Sequence, residues 1–218
     1  MDQQIRFNEA LAELNSLYAE AAQTTKDGVA LAVQMVNKWD ADMEASILEK
    51  DQQVEQLEND LHEKCFHILA LHQPMAIDLR YIMSILAVII HIKAISERAA
   101  KIAKRVKQMI DSSIAKDEIP YNFTRMEEKV QEILNKALDA VPQKTIKESD
   151  ILAGKELVEG IHRQHRAQKF EGINKDPKNA SPLDRAWSIS NHLKNMTDEI
   201  REITSEIVFL ETGEYSAK

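Results

Sequence analysis

Apolar residues recur along this chain in steps of three and four, grouped into six blocks. That spacing is the stripe of a helix packed against other helices, not the alternation of a strand. The most apolar block follows His72, where Ile82, Leu86, Ile89, Ile92, Ile95, Ala99, Ile102 and Val106 share one face. It predicts a helix over 75–111, with Pro74 ending the helix before it and opening this one, because proline is tolerated in a first turn but not in an interior. Ahead of it, Ile5, Leu11, Leu14, Leu17, Ala21, Val29, Val33 and Val36 predict a helix over 5–37, closed by a tight connection at Trp39 and Asp40. Ile47, Val54, Leu57, Leu61, Cys65, Ile68 and Leu71 predict another over 41–73, with an acid-rich outer face.

The run DSSIAKDEIPYN, 111–122, has no apolar period and reads as a linker. Three more helices follow. One spans 124–140, on Met126, Val130, Ile133, Leu134 and Leu138. The next spans 146–172, on Ile151, Leu152, Leu157 and Ile161, and the last spans 183–211, stopping before Thr212 and Gly213. The expected domains are therefore residues 1–112 and 119–218, each of three helices.

Composition agrees with an all-α protein. Residues are 44% hydrophobic but only 5% aromatic, with 5 Gly and 5 Pro, so breakers are few. A formal net charge of -8 argues against general nucleic-acid binding, because a phosphate backbone would be repelled. One cysteine, Cys65, excludes an intrachain disulfide and points to a reducing compartment. The N-terminus shows no basic region followed by an apolar run, and the run Ile82 to Ile92 is too short to span a bilayer. The expectation is a cytoplasmic protein with no membrane insertion.

Shifting the chain by 101 residues aligns two of the blocks. Leu86 meets Trp187, Val88 meets Ile189, Ile92 meets Leu193, Ile95 meets Met196, Ile102 meets Ile203 and Val106 meets Ile207. Any two amphipathic helices can be slid into apolar phase. The polar set is more demanding: His91, Lys93 and Glu97 meet His192, Lys194 and Asp198 at the same shift. The pattern is that of a duplicated three-helix unit.

The run LALHQPMAIDLRYI (69–82), followed by IKAISERAAKIAKRV (92–106), resembles the signature of the PhoU family, accessory proteins of bacterial phosphate uptake. SNHLKNMTDEIREITSEIVFLETGEY (190–215) resembles the end of that family's second repeat. The resemblance implies two tandem three-helix bundles related by a pseudo-two-fold axis, commonly dimerising, and a regulator without catalytic turnover. It implies binding to the ATPase of the phosphate ABC transporter and to the phosphate-sensing histidine kinase. It also implies multinuclear metal clusters at acid-x-x-x-acid motifs. By that pattern the metal-ligand positions here are Glu97, Asp198, Asp51 and Glu55, but Lys93 and Lys194 stand in each first carboxylate place, and His91 replaces a further acid. A protonated ammonium donates and cannot ligate a metal, so the expectation is a protein without a bound cofactor.

Lys93 with Glu97, and Lys194 with Asp198, lie one turn apart. The plain reading is a helix-surface ion pair contributing ~0.3–0.5 kcal/mol. The sharper one is that each ammonium occupies the place of a cation and neutralises carboxylates from neighbouring helices, with Asp51 and Glu55 the candidates in the first bundle. For Cys65, core packing outweighs a zinc site with His62 and His67. His162 and His165, with Arg163 and Arg166, read as a solvated helix face, or as a basic patch for an acidic partner or an anion. Asp78 suits the first turn after Pro74, and Arg80 serves the helix corner or a partner surface. No nucleophile motif or phosphate-cradling glycine loop occurs, and the di-iron pattern, Glu-x-x-His on each of two facing helices, is not met.

Overall fold

The computed structural model describes residues 2–215, with side chains from Gln4 onward. Among the described residues there are six α-helices and no strand. They are α1 (Asp2–Lys38), α2 (Glu44–His72), α3 (Ala76–Asp111), α4 (Thr124–Ala140), α5 (Glu148–Lys175) and α6 (Ala180–Thr212). Single turns of 3-10 helix at Ala41–Met43, Lys116–Glu118 and Pro177–Asn179 fill the longer connections.

Left-handed residues end several helices: Trp39 (φ 56°) after α1, Gln73 (φ 46°) after α2 and Gly213 (φ 81°) after α6. The Gly213 N–H donates to the Phe209 carbonyl at 2.8 Å, so the expected glycine cap is present. Pro74 departs from the sequence reading. It belongs to neither helix, because Gln73 already closes α2 and the extended Met75 precedes α3. Asp40 and Asp176 cap the turns that follow them by accepting from the Asp42 and Lys178 N–H groups.

Helices α1–α3 form one bundle and α4–α6 the second. The bundles join back to back, chiefly through α3 against α6, with α1 against α4 beside them. The Tyr18 hydroxyl donates to the Leu138 carbonyl across that second contact at 2.7 Å. The 101-residue shift maps core onto core. Ile85, Val88, Ile89, Ile92, Ile95, Ala99, Ile102 and Val106 of α3 are buried, and so are Ala186, Ile189, Ser190, Leu193, Met196, Ile200, Ile203 and Ile207 of α6. Each large aliphatic side chain removed from water in this way contributes roughly 1.5–3 kcal/mol.

Helix α5 buries a different stripe from the one expected. Ile151, Gly154, Val158 and His165 face inward, while Leu152 is exposed and Leu157 only half-buried. Among the helices α5 packs against α4 and α6 alone, so one narrow stripe suffices. A Cβ on Gly154 would come within 2.5 Å of Ile133 Cγ2, so glycine permits the close α4–α5 approach.

By length and composition alone α3 could cross a membrane, with a window of mean hydropathy 1.7 that extends beyond Ile82–Ile92. Half of that window is buried here, as the central helix between α1, α2 and α6. Its outward face remains apolar at Leu79 (40% exposed), Met83 (48%) and Ile90 (54%).

Candidate functional site

Lys93 stands at the seam between α3 and α2. Its Nζ lies 3.5 Å from Glu55 Oε1, 3.6 Å from Glu58 Oε2 and 3.8 Å from Glu97 Oε1. Glu55 and Glu58 are three apart on α2 and so share the face turned to α3, while Glu97 is one turn along α3 and is shared with Lys101 at 3.1 Å. Desolvation works against the Lys93 charge, yet Glu55 and then Glu58 outweigh it and hold the ammonium above its ordinary range. Of the two α2 candidates, Glu55 joins this cluster. Asp51 does not pair with Lys93, and its Oδ1 is buried without a hydrogen-bond partner. Glu58 takes the place that the sequence reading gave to Asp51.

The second bundle repeats the arrangement with one change. Lys194 Nζ lies 2.6 Å from Asp198 Oδ2, while Lys155 of α5 bridges the other Asp198 oxygen and Glu159 Oε1. Two ammonium groups thus face two carboxylates. Burial would raise the Asp198 pKa, but the hydrogen bonds from Lys155 and Lys194 prevail and hold it below the usual carboxylate range.

Between the clusters a third set ties the bundles together. Glu199 of α6 receives His91 Nδ1 at 2.9 Å and Arg98 at 2.8 Å, both from α3. The sequence reading missed Glu58, Lys155, Glu159, Arg98 and Glu199. A usable signal existed for the last two, since the 101-residue shift places Arg98 on Glu199, a charge reversal in an otherwise matched pair of helices.

His162 and His165 do not form a basic patch. Arg163 and Arg166 point outward, whereas His165 is buried, stacked on Tyr121 with ring centroids 4.9 Å apart. Both histidines meet the Ser190 hydroxyl, at 3.1 and 2.9 Å. Burial disfavours their charged forms and pushes His165 down to about 4. Glu159 and His162 do have Glu-x-x-His spacing, once in the chain; Glu159 is taken by Lys155 and no second such pair faces it.

Cys65 is buried in the core beside the Ile82 carbonyl, and burial pushes its thiol up to about 12, which suits packing rather than reactivity. Arg80 lies over the Phe209 ring at 5.4 Å and against Gly213, pinning the end of α6 to the α2–α3 corner. Asp78 sits in the first turn of α3, as the helix dipole favours.

The PhoU domain family model matches residues 18–106. The fold matches the crystal structure of PhoU from Pseudomonas aeruginosa with a TM-score of 0.86 and 25% identity, over 95% of this chain and 100% of that one.

The chain resembles PhoU proteins along nearly its whole length.

The PhoU structure from Streptococcus pneumoniae matches with a TM-score of 0.80 and 25% identity, over 97% of this chain and 100% of that one. Curated relatives named "Phosphate-specific transport system accessory protein PhoU homolog" extend along nearly the whole chain. The Streptococcus pneumoniae relative is 28% identical over 96% of both chains, and the Aquifex aeolicus relative 22% identical over 94% of this chain and 92% of its own.

The residues present are a poor fit to the metal clusters that the resemblance implies. Among the described residues, no group of three or more His, Cys, Asp or Glu is arranged to hold a metal ion. Glu97 and Glu55 meet around an ammonium, Asp198 lies between two, and Asp51 pairs with none of these lysines.

Proposed function

We propose that this protein is a regulatory adaptor of phosphate homeostasis. Working in the cytoplasm as a homodimer, it binds the ATPase of a phosphate ABC transporter and a sensor histidine kinase. When phosphate is plentiful it holds uptake and phosphate-responsive signalling down, and it turns over no substrate. The observation that carries this reading is the end-to-end likeness of fold to PhoU, which spans 95% of the chain.

An uncovered apolar patch on a helical face marks a place where a partner can dock. The α3 stripe Leu79, Met83 and Ile90 is one, and its counterparts 101 residues on are Ala180, Asp184 and Asn191. The same backbone accepts polar side chains there in the second bundle, so folding does not require the stripe to be apolar. Deleting the gene should raise alkaline phosphatase in phosphate-rich medium. Met83→Glu with Ile90→Glu should raise it as well, with an unchanged melting curve and loss of the transporter ATPase from a pull-down. No rise on deletion would overturn the adaptor reading. It would favour a second one, a PhoU-fold metal- or anion-binding protein with a regulatory role outside phosphate, which the lysine in both motifs supports.

We also infer that Lys93 and Lys194, with Lys155, take the place of the PhoU metal cations. Gathered carboxylates need a counter-charge or their pKa values rise, and here tethered ammonium groups provide it. The purified protein should therefore carry no stoichiometric metal. Elemental analysis finding iron, zinc or calcium near one equivalent per chain would reject this.

A further inference from the structure

Where the C-terminal half of α3 crosses α6, a cleft of about 300 Å³ is lined by Lys101, Lys104, Arg105, Gln108 and His192. All but Gln108 are basic or can become so, on a chain of net charge -8. Lys101 shares Glu97 with Lys93, and Arg105 donates to the Gln108 side chain. Among the described residues no carboxylate pairs with Lys104 or Arg105. His192 Nδ1 is buried and has no hydrogen-bond partner. Its imidazole is held neutral, down to about 4, by burial and then by the Arg98, Lys101 and Arg105 charges.

The pseudo-two-fold axis supplies an internal control. Under the 101-residue shift, the contact of His91 with Glu199 corresponds to His192 with Arg98. At the first position a carboxylate sits 2.9 Å from the imidazole. At the second the matching residue is a cation, and Arg98 is drawn away to Glu199 at 2.8 Å. The residues matching Lys101, Lys104 and Arg105 are Glu202, Ser205 and Glu206, so the cationic character belongs to one of the two related places only. One histidine has an anion built into the chain; the other faces unbalanced positive charge across a cavity.

We propose that this cleft binds a phosphate-class oxyanion, with Lys104, Arg105 and His192 as its principal contacts. The anion would occupy at His192 the role that the Glu199 carboxylate fills at His91. Guanidinium, ammonium and imidazole donors converging on one cavity are the groups that take a tetrahedral oxyanion. The cleft and its charge stand on geometry alone; the choice of phosphate among oxyanions rests on the function proposed above.

The test is titration of the full-length protein with orthophosphate and, separately, with ATP, at constant ionic strength and neutral pH. Saturable binding in the millimolar range or tighter is expected, and the tighter of the two ligands identifies free phosphate or a nucleotide phosphoryl group as the source. Side-chain NMR should show the His192 titration midpoint moving upward with ligand. Lys104→Gln with Arg105→Gln, both outside the core, should weaken binding about tenfold or more. Absence of saturable binding to either ligand overturns the site, as does equal binding by the double variant. Equal affinity for sulfate overturns the phosphate assignment. A failed titration leaves the gene-deletion phenotype untouched, so the site and the adaptor role are judged separately.

Discussion

The Glu127→Gln variant should lose a pH dependence of stability that the parent protein shows between about pH 4.5 and about pH 7. Glu127 lies in the first turn of α4, is 1% exposed, and has one oxygen, Oε1, buried without a partner. Its other oxygen accepts from Asn37 Nδ2 of α1 at 3.0 Å. Lys116 of the linker, which donates to the Asn37 carbonyl, also favours the charged form. Burial is the larger influence, and it pushes the carboxyl from 4.5 up to about 7.

The sign follows from proton counting. Above pH 4.5 the unfolded chain has released this proton, while the native state keeps it until about pH 7. The native state thus binds more protons in that window, and stability falls as pH rises through it. At about 1.4 kcal/mol per pH unit the loss is about 3 kcal/mol. Glutamine preserves the acceptor for Asn37 and carries no charge to bury. Urea unfolding of parent and variant at several pH values should show the variant more stable above neutrality and the two converging in acid. Parallel stability profiles would reject the assignment.

Truncating Ile68 should cost about 2–5 kcal/mol, while truncating Leu71 should cost within about 0.5 kcal/mol. Both belong to the apolar stripe of α2 as read from sequence, three residues apart. In the fold Ile68 is 1% exposed and Leu71 is 66% exposed. Ile68→Ala leaves a cavity in a packed core. Leu71→Ala removes atoms that are mostly in water already, in the last turn before Gln73 closes the helix. For a chain of this size each kcal/mol moves the melting temperature by about 2–4 °C, so calorimetry separates the two variants. Comparable losses would mean that the end of α2 is covered, as a dimer contact would cover it.

The six helices were legible because burial in a helical bundle leaves a periodic trace in the chain. Breaks appeared where Trp39, Pro74, the 111–122 run and Gly213 interrupt that trace. Periodicity fails where a helix touches few neighbours. On α5 the inward stripe includes Gly154 and His165, neither of which reads as apolar, while Leu152 faces solvent. It fails at helix ends too, where Leu71 keeps the phase of the stripe but runs past its partners.

Sequence by itself determined the number of helices, the duplication at a 101-residue shift, and the lysine in both motif positions, because each is a matter of spacing and residue type along one helix. Tertiary structure decided which charges meet. Glu58 rather than Asp51 faces Lys93, Lys155 of α5 completes the second cluster, and Glu199 satisfies His91 while His192 is left facing cations. Electrostatic energy depends on distances of a few ångströms between side chains of different helices, and neither those distances nor the burial that strengthens them is written in the order of residues along any one helix.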